Sequence, residues 1–211
     1  MARAFSEIAF TQTVRDRQSD LGSRDGYAAL DSDDIDRGDR LGPSEIGFIQ
    51  ARDGFYQATV SETGWPYVQF RGGPAGFLKV LDETTLAYAD FRGNRQYISH
   101  GNLETNEKVS LILMDYPNRT RLKVWALAQQ LNLQGNEALA EAVSLPGYRA
   151  LPERIIKLSV KAFDWNCPQH IPQRFSLAEL APDLNRLQKR IQDLEAENAE
   201  LKAFLGTDSR R

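Results

Sequence analysis

The chain has 211 residues, enough for one substantial domain with appendages, and its 41% hydrophobic and 26% charged content places it among ordinary soluble globular proteins. A net charge of −3 and a pI near 5.5 argue against a nucleic-acid binder, which carries a basic excess on one face. No apolar run approaches a membrane span, the polar N-terminus lacks a signal-peptide apolar core, and a single cysteine, Cys167, fits a reducing cytoplasm with no internal disulfide.

Residues 1–42 are polar and rich in Asp, Arg, Ser and Gly, and read as a segment of N-terminal helices and linker. Short helices are expected at Thr11–Leu21 and Gly26–Leu30, followed by a charged linker over Asp31–Arg40. That linker lacks the acidic spacing and closing Glu of a calcium loop. With two histidines and one cysteine in the whole chain, a structural zinc site is not expected either. Pro43 suits a helix N1 position and predicts a helix over Pro43–Gln50.

From Asp53-Gly54 onward the pattern turns to β. Phe55–Val60 and Pro66–Arg71 flank a turn at Glu62–Gly64 and read as a hairpin. Gly76–Leu81, Thr85–Ala89, Val109–Met114, Leu122–Ala126 and Arg154–Phe163 are further strands. Asp82–Thr84 turns the first of these into the second. Short helices are expected at Asn94–Leu103 and Asn136–Val143. Many short strands with few long helices predict a mainly β (α+β) domain over 43–175, a small barrel with peripheral helices.

The tail changes character. Leu180, Leu184, Leu187, Ile191, Leu194, Asn198, Leu201 and Leu205 recur at intervals of four and three. This heptad seam puts Ile191 at a and Leu187, Leu194 and Leu201 at d, the choice that favours two parallel strands. Asn198 at a fixes register when it meets its twin. Arg190 and Glu197 at g face Glu195 and Lys202 at e of a partner. The expectation is a parallel dimeric coiled coil over 178–206. The competing arrangement is an amphipathic helix packed on its own domain, which would show a wider apolar stripe.

Chemistry-bearing residues are sparse. No catalytic triad, Walker loop or GxGxxG is present. His100 and His170 are isolated in sequence, and Cys167 beside Pro168 has no identifiable base. The informative segment is Ala89–Ser99, where a strand ends and a Gly-containing turn delivers Asn94, Arg95 and Gln96 at a helix start. Such a start offers free N–H groups and a positive dipole end to an anion, and Arg95 adds a fork that matches phosphate oxygens. Arg119, Arg121 and Lys123 share one face of a strand, as do Gln69 and Arg71. Spacing alone leaves two readings open, a phosphate-binding cluster and scattered surface charge.

Several segments together resemble one family: Gly64–Pro74, Gly76–Lys79, Ala89–Ser99, Gly101–Leu103, Met114–Arg119 and Asn166–Ile171. They are similar to a bacterial branch of the pyridoxamine 5'-phosphate oxidase-like FMN-binding proteins, over about residues 5 to 175. The resemblance implies a split β-barrel homodimer with FMN between subunits. It implies a phosphate site at Asn94, Arg95 and Gln96, and a strand carrying Gln69, Phe70 and Arg71 along the flavin. It further implies approach of Arg121 and Lys123, backbone contacts from Asp90 and Phe91, and a cover formed by Asn166–Arg174, including Asn166 and Gln169.

Departures from the family pattern matter. The Arg, apolar run and Lys of true pyridoxamine phosphate oxidases are replaced by Gln69–Gly73, and their Trp-containing ending is absent. Gln96 stands where a Lys is usual. Pyridoxamine phosphate is therefore not the expected substrate. The expectation is an FMN-dependent oxidoreductase of a small molecule, cytoplasmic, with FMN or a deazaflavin as cofactor. The alternatives are a non-catalytic flavin or tetrapyrrole binder serving as redox sensor, and an assembly module whose coiled coil recruits another partner.

Overall fold

Seven segments pair as antiparallel strands, in a computed structural model that describes residues 3–32, 37–165 and 169–208. They are β1 (Gly54–Val60), β2 (Pro66–Gly72), β3 (Lys79–Asp82), β4 (Thr85–Phe91), β5 (Lys108–Asp115), β6 (Thr120–Leu131) and β7 (Pro152–Trp165). Their order in the sheet is β2-β1-β5-β6-β7-β4-β3. The expected hairpin is present, with Gly54 opposite Gly72 and Val60 opposite Pro66. The turn at 82–84 joins β3 to β4 as expected, its Asp82 carboxylate accepting from the Thr84 N–H and hydroxyl.

The sheet rolls until its two ends approach. Among the described residues no backbone ladder joins β2 to β3 or β4; side chains span that opening instead. Arg71 on β2 meets Asp90 on β4, and Tyr88 on β4 donates its hydroxyl to Gln57 on β1 at 2.7 Å. The barrel is therefore split, and its fold class is as expected. Its interior holds Phe55, Phe77, Tyr88, Leu111, Leu113, Leu122, Val124, Ile156 and Leu158. Phe55 stacks on Phe77 and meets Tyr88 edge-on, so aromatic packing closes the core where hydrogen bonding does not.

Helices decorate this barrel. α1 (Arg3–Ala9) was not expected from its short, weakly patterned sequence. Packing explains it: Phe5 meets Trp125 of β6 and Phe10, which meets Tyr27. α2 (Gln12–Asp20), α3 (Arg24–Tyr27) and a 3-10 turn at Ala28–Asp31 follow. α4 (Pro43–Gln50) has its predicted bounds. Glu45 accepts from the Gly42 N–H with one oxygen and from the Trp165 indole with the other, pinning this helix to β7. α5 (Ile98–Thr105) and α6 (Glu137–Ala142) complete the unit spanning residues 1–171.

Residues 172–211 form a second compact unit. It is chiefly α7 (Leu177–Asp208), a 32-residue helix of about 48 Å at 1.5 Å per residue. Ser176 and Glu179 cap its start reciprocally, Glu179 accepting from the Ser176 N–H at 2.7 Å. Leu184, Leu187, Ile191, Leu194, Leu201 and Leu205 are all exposed along it. Among the described residues, no helix is long and apolar enough to cross a membrane.

Candidate functional site

A cleft forms where β2, the end of β4, the following turn and the start of α5 meet. Period-two geometry puts Tyr67, Gln69 and Arg71 of β2 on its wall. β4 contributes Asp90 and Phe91, and β7 contributes Glu153 and Arg154. Two consecutive residues of a regular strand cannot face one way. A bulge resolves this: Asp90 pairs with Arg154 but Phe91 pairs with Pro152, leaving Glu153 as an extra residue in β7. Such bulges re-aim side chains next to functional sites.

The turn from Gly93 to Tyr97 has an unusual backbone. Arg95 and Tyr97 both have positive φ, 63° and 54°, uncommon for residues with side chains. Asn94 stabilises it by accepting from the Gln96 N–H and donating to the Gln96 side chain. Consequently α5 starts at Ile98, four residues later than the sequence predicts, and Asn94–Gln96 lie in the turn before the helix. The first helical bond runs from the Gly101 N–H to the Tyr97 carbonyl, so the N–H groups of Ile98, Ser99 and His100 have no helical acceptor.

α5 is tied to three strands. Ser99 donates to Gln69 at 2.9 Å, Asn102 donates to Thr59 at 2.9 Å, and Gln130 donates to the His100 carbonyl at 3.1 Å. The His100 ring itself is hydrogen-bonded to Gln130. The helix start is thus held rigidly against the barrel.

Charge in the cleft is organised around Asp90, which is buried. One of its oxygens takes Arg71 at 2.5 Å and the other takes Arg154 at 2.6 Å. Glu153 binds Arg92 at 2.8 Å and Arg154 at 3.3 Å; the Arg92 hydrogen bond holds its carboxyl below the usual range. Arg95 hydrogen-bonds the Tyr97 hydroxyl, which raises its already high proton affinity. The Arg71 Nε is buried without a hydrogen-bond partner among the described residues, a donor left for a ligand to satisfy. The cavity itself is only about 50 Å³. That is room for a few waters, and the rest of the cleft opens to solvent.

The cleft therefore brings together Gln69, Arg71, Asp90, Phe91, Asn94, Arg95 and Gln96 as expected. Four other expected residues do not join it within one chain. Phe70 lies on the opposite face of β2, packed over Gly54 and Gly72 and against Tyr56. Arg121 and Lys123 face outward from β6, opposite Met114 and Ile112 of β5, with Lys123 3.8 Å from Asp164. Gln169 is exposed in a turn away from the cleft. Asn166 and Cys167 lie outside the described residues. Sequence reasoning missed Arg154, whose role depends on a bulge and a cross-strand register. It also missed Tyr67, which the alternation through Gln69 and Arg71 could have supplied.

Comparison with known proteins places the chain. A family model described as pyridoxamine 5'-phosphate oxidase matches residues 47–162, more than half the chain. Among solved structures, a variant of HupZ from Group A Streptococcus superposes with a TM-score of 0.50 at 15% identity, over 60% of this chain and 99% of that one. A putative pyridoxamine 5'-phosphate oxidase from Lactobacillus delbrueckii gives 0.47 at 20% identity, over 60% and 94%. An FMN-binding protein from Syntrophomonas wolfei gives 0.44 at 12% identity, over 74% and 96%. No curated protein matches. The matched span begins inside α4 and covers the barrel with its cleft, and on that match the chain belongs to the pyridoxamine 5'-phosphate oxidase family.

Proposed function

We propose that this protein binds FMN and acts as an oxidoreductase on a small molecule, with the flavin site completed by a second copy of the chain. The observation that carries the reading is the turn before α5. Its left-handed residues, the free N–H groups of Ile98–His100 and the Arg95 guanidinium form a phosphate cradle next to a buried, unpartnered Arg71 donor. The donor set suits an anion: three arginines face two carboxylates in the cleft lining.

In this reading Arg95 and the α5 N–H groups hold the phosphate. Ser99 fixes Gln69 so that its amide orients the ligand. Asp90 keeps Arg71 and Arg154 in place and offsets their charge. When bound, the flavin supplies the electron transfer; the chain's residues bind and orient it.

The small cavity is one reason to complete the site with a partner. A second reason is the outer face of the β1–β2 hairpin. Tyr56, Val68 and Phe70 are 40%, 59% and 58% exposed there and sit beside Ile112. A contiguous apolar patch on a soluble chain marks an interaction surface. Arg121 and Lys123 border this patch, so a copy docked on it would receive their cations next to its own flavin. The exposed seam of α7 would pair in parallel and reinforce that dimer.

One observation favours a non-catalytic flavin carrier or sensor instead. Both cleft carboxylates, Asp90 and Glu153, are committed to arginines, which leaves no free base there. The test is a purified, FMN-loaded sample mixed with NAD(P)H and then air. Bleaching and recovery of the flavin band support the oxidoreductase. A flavin that stays oxidised with every donor supports the sensor, and failure to bind FMN removes both.

A further inference from the structure

Phe91 has a second side. Beyond it lies a separate recess of about 280 Å³, formed where the β6–β7 connection folds back over β4. Its walls include Ala89 and Phe91 of β4, Ala140 of α6, and Val143, Ser144 and Tyr148 of the following loop. Phe91 meets Tyr148 edge-on, with ring centroids 5.3 Å apart. The recess cuts into a satellite core built on Ala87, Ala89, Val143 and Ile155, apart from the barrel interior. The recess opens to solvent past Ser144 and Tyr148, both exposed, and the small residues Ala89, Ala140 and Ala150 leave it room.

The lining is apolar except for two hydroxyls. Those of Ser144 and Tyr148 have no hydrogen-bond partner among the described residues. An apolar slot with one or two convergent polar groups is the usual form of a small-molecule pocket. A recess of this volume suits an aromatic ring rather than a helix or a chain segment.

We infer that the recess binds a small aromatic molecule: a single ring with one hydrogen-bonding substituent, directed at Ser144 or Tyr148. This binding does not rest on the flavin reading.

The probe is 4-fluorophenol, followed by fluorine NMR on the full-length protein with and without FMN. Saturable binding is expected with a dissociation constant on the order of 1 mM, what so small a ligand can reach. Saturation transfer to the ring protons of Phe91 and Tyr148 should accompany it. Ala140→Leu and Ala150→Leu fill the recess from two segments and should each weaken binding at least tenfold while the melting temperature holds or rises. Absence of saturable binding, absence of transfer to either ring, or unchanged affinity in a folded filling variant overturns the pocket. Binding to a chain that takes up no FMN isolates failure of the flavin reading.

Discussion

Asp90→Asn is the most informative single change in the barrel. Asp90 is 5% exposed, and each carboxylate oxygen holds one guanidinium, at 2.5 and 2.6 Å. Asparagine keeps the shape but removes the charge, and turns an amide NH2 toward one arginine. Arg71 then has no counter-ion, and Arg154 keeps only Glu153 at 3.3 Å. Removing one partner of a buried ion pair costs roughly 3–5 kcal/mol. The arginine side chains keep 16% and 15% exposure, so cleft water reaches them and the low end of that range applies. For a chain of this size about 3 kcal/mol lowers the melting temperature by roughly 6–12 °C. Urea unfolding followed by tryptophan fluorescence measures it. Added inorganic phosphate should restore part of the loss by supplying the missing charge. Asp20→Asn is the control, because the exposed Arg17–Asp20 pair is worth about 1 kcal/mol at most. An Asp90→Asn loss no larger than this control would refute the strut that joins the two ends of the sheet.

Arg95→Ala should weaken FMN binding by roughly 10- to 100-fold, the worth of a charge-assisted hydrogen bond of about 1.5–3 kcal/mol, without moving the melting temperature; titration calorimetry checks it. Phe70→Glu should give a monomer on sizing chromatography that no longer retains FMN, and a monomer that binds FMN tightly would separate the site from the dimer. Deleting residues 177–211 should leave a dimer that keeps its flavin but dissociates at higher concentration, and a strictly monomeric product would make the seam the main contact. Burial holds the Asp164 carboxyl above its usual range despite Lys123, so the folded state binds that proton more tightly than the unfolded chain does. Its contribution is therefore favourable below the ordinary carboxylate range and lost as pH rises through the raised value. Asp164→Asn should flatten the fall in urea midpoint between pH 4 and pH 7, and an unchanged slope would assign that fall to other groups.

The strands and their hairpins were legible because alternation and turn residues act locally. Gly54 through Val60 and Pro66 through Gly72 pair as their pattern demands. The turn between β4 and α5 was legible as a segment, since Gly93 and Asn94 are residues that turns favour. Its internal geometry was not: two left-handed residues delay the helix to Ile98, and no periodicity reports that. Arg154 stayed hidden because one extra residue at Glu153 re-aims it, and register is a property of two strands together. α1 was missed because tertiary packing on Trp125, rather than its own propensity, makes it a helix. Phe70 shows the opposite error. Placing it beside Gln69 and Arg71 along one ligand ignores the pleat, which sends it to the outer face.

In the proposed function the turn before α5 holds the phosphate of FMN. Equilibrium dialysis of the purified full-length protein against FMN, with the bound ligand identified by mass, tests it most directly. The account predicts one FMN per chain, a yellow protein, and competition by inorganic phosphate. A colourless protein that takes up no FMN, or FMN binding unaffected by both phosphate and Arg95→Ala, would contradict it.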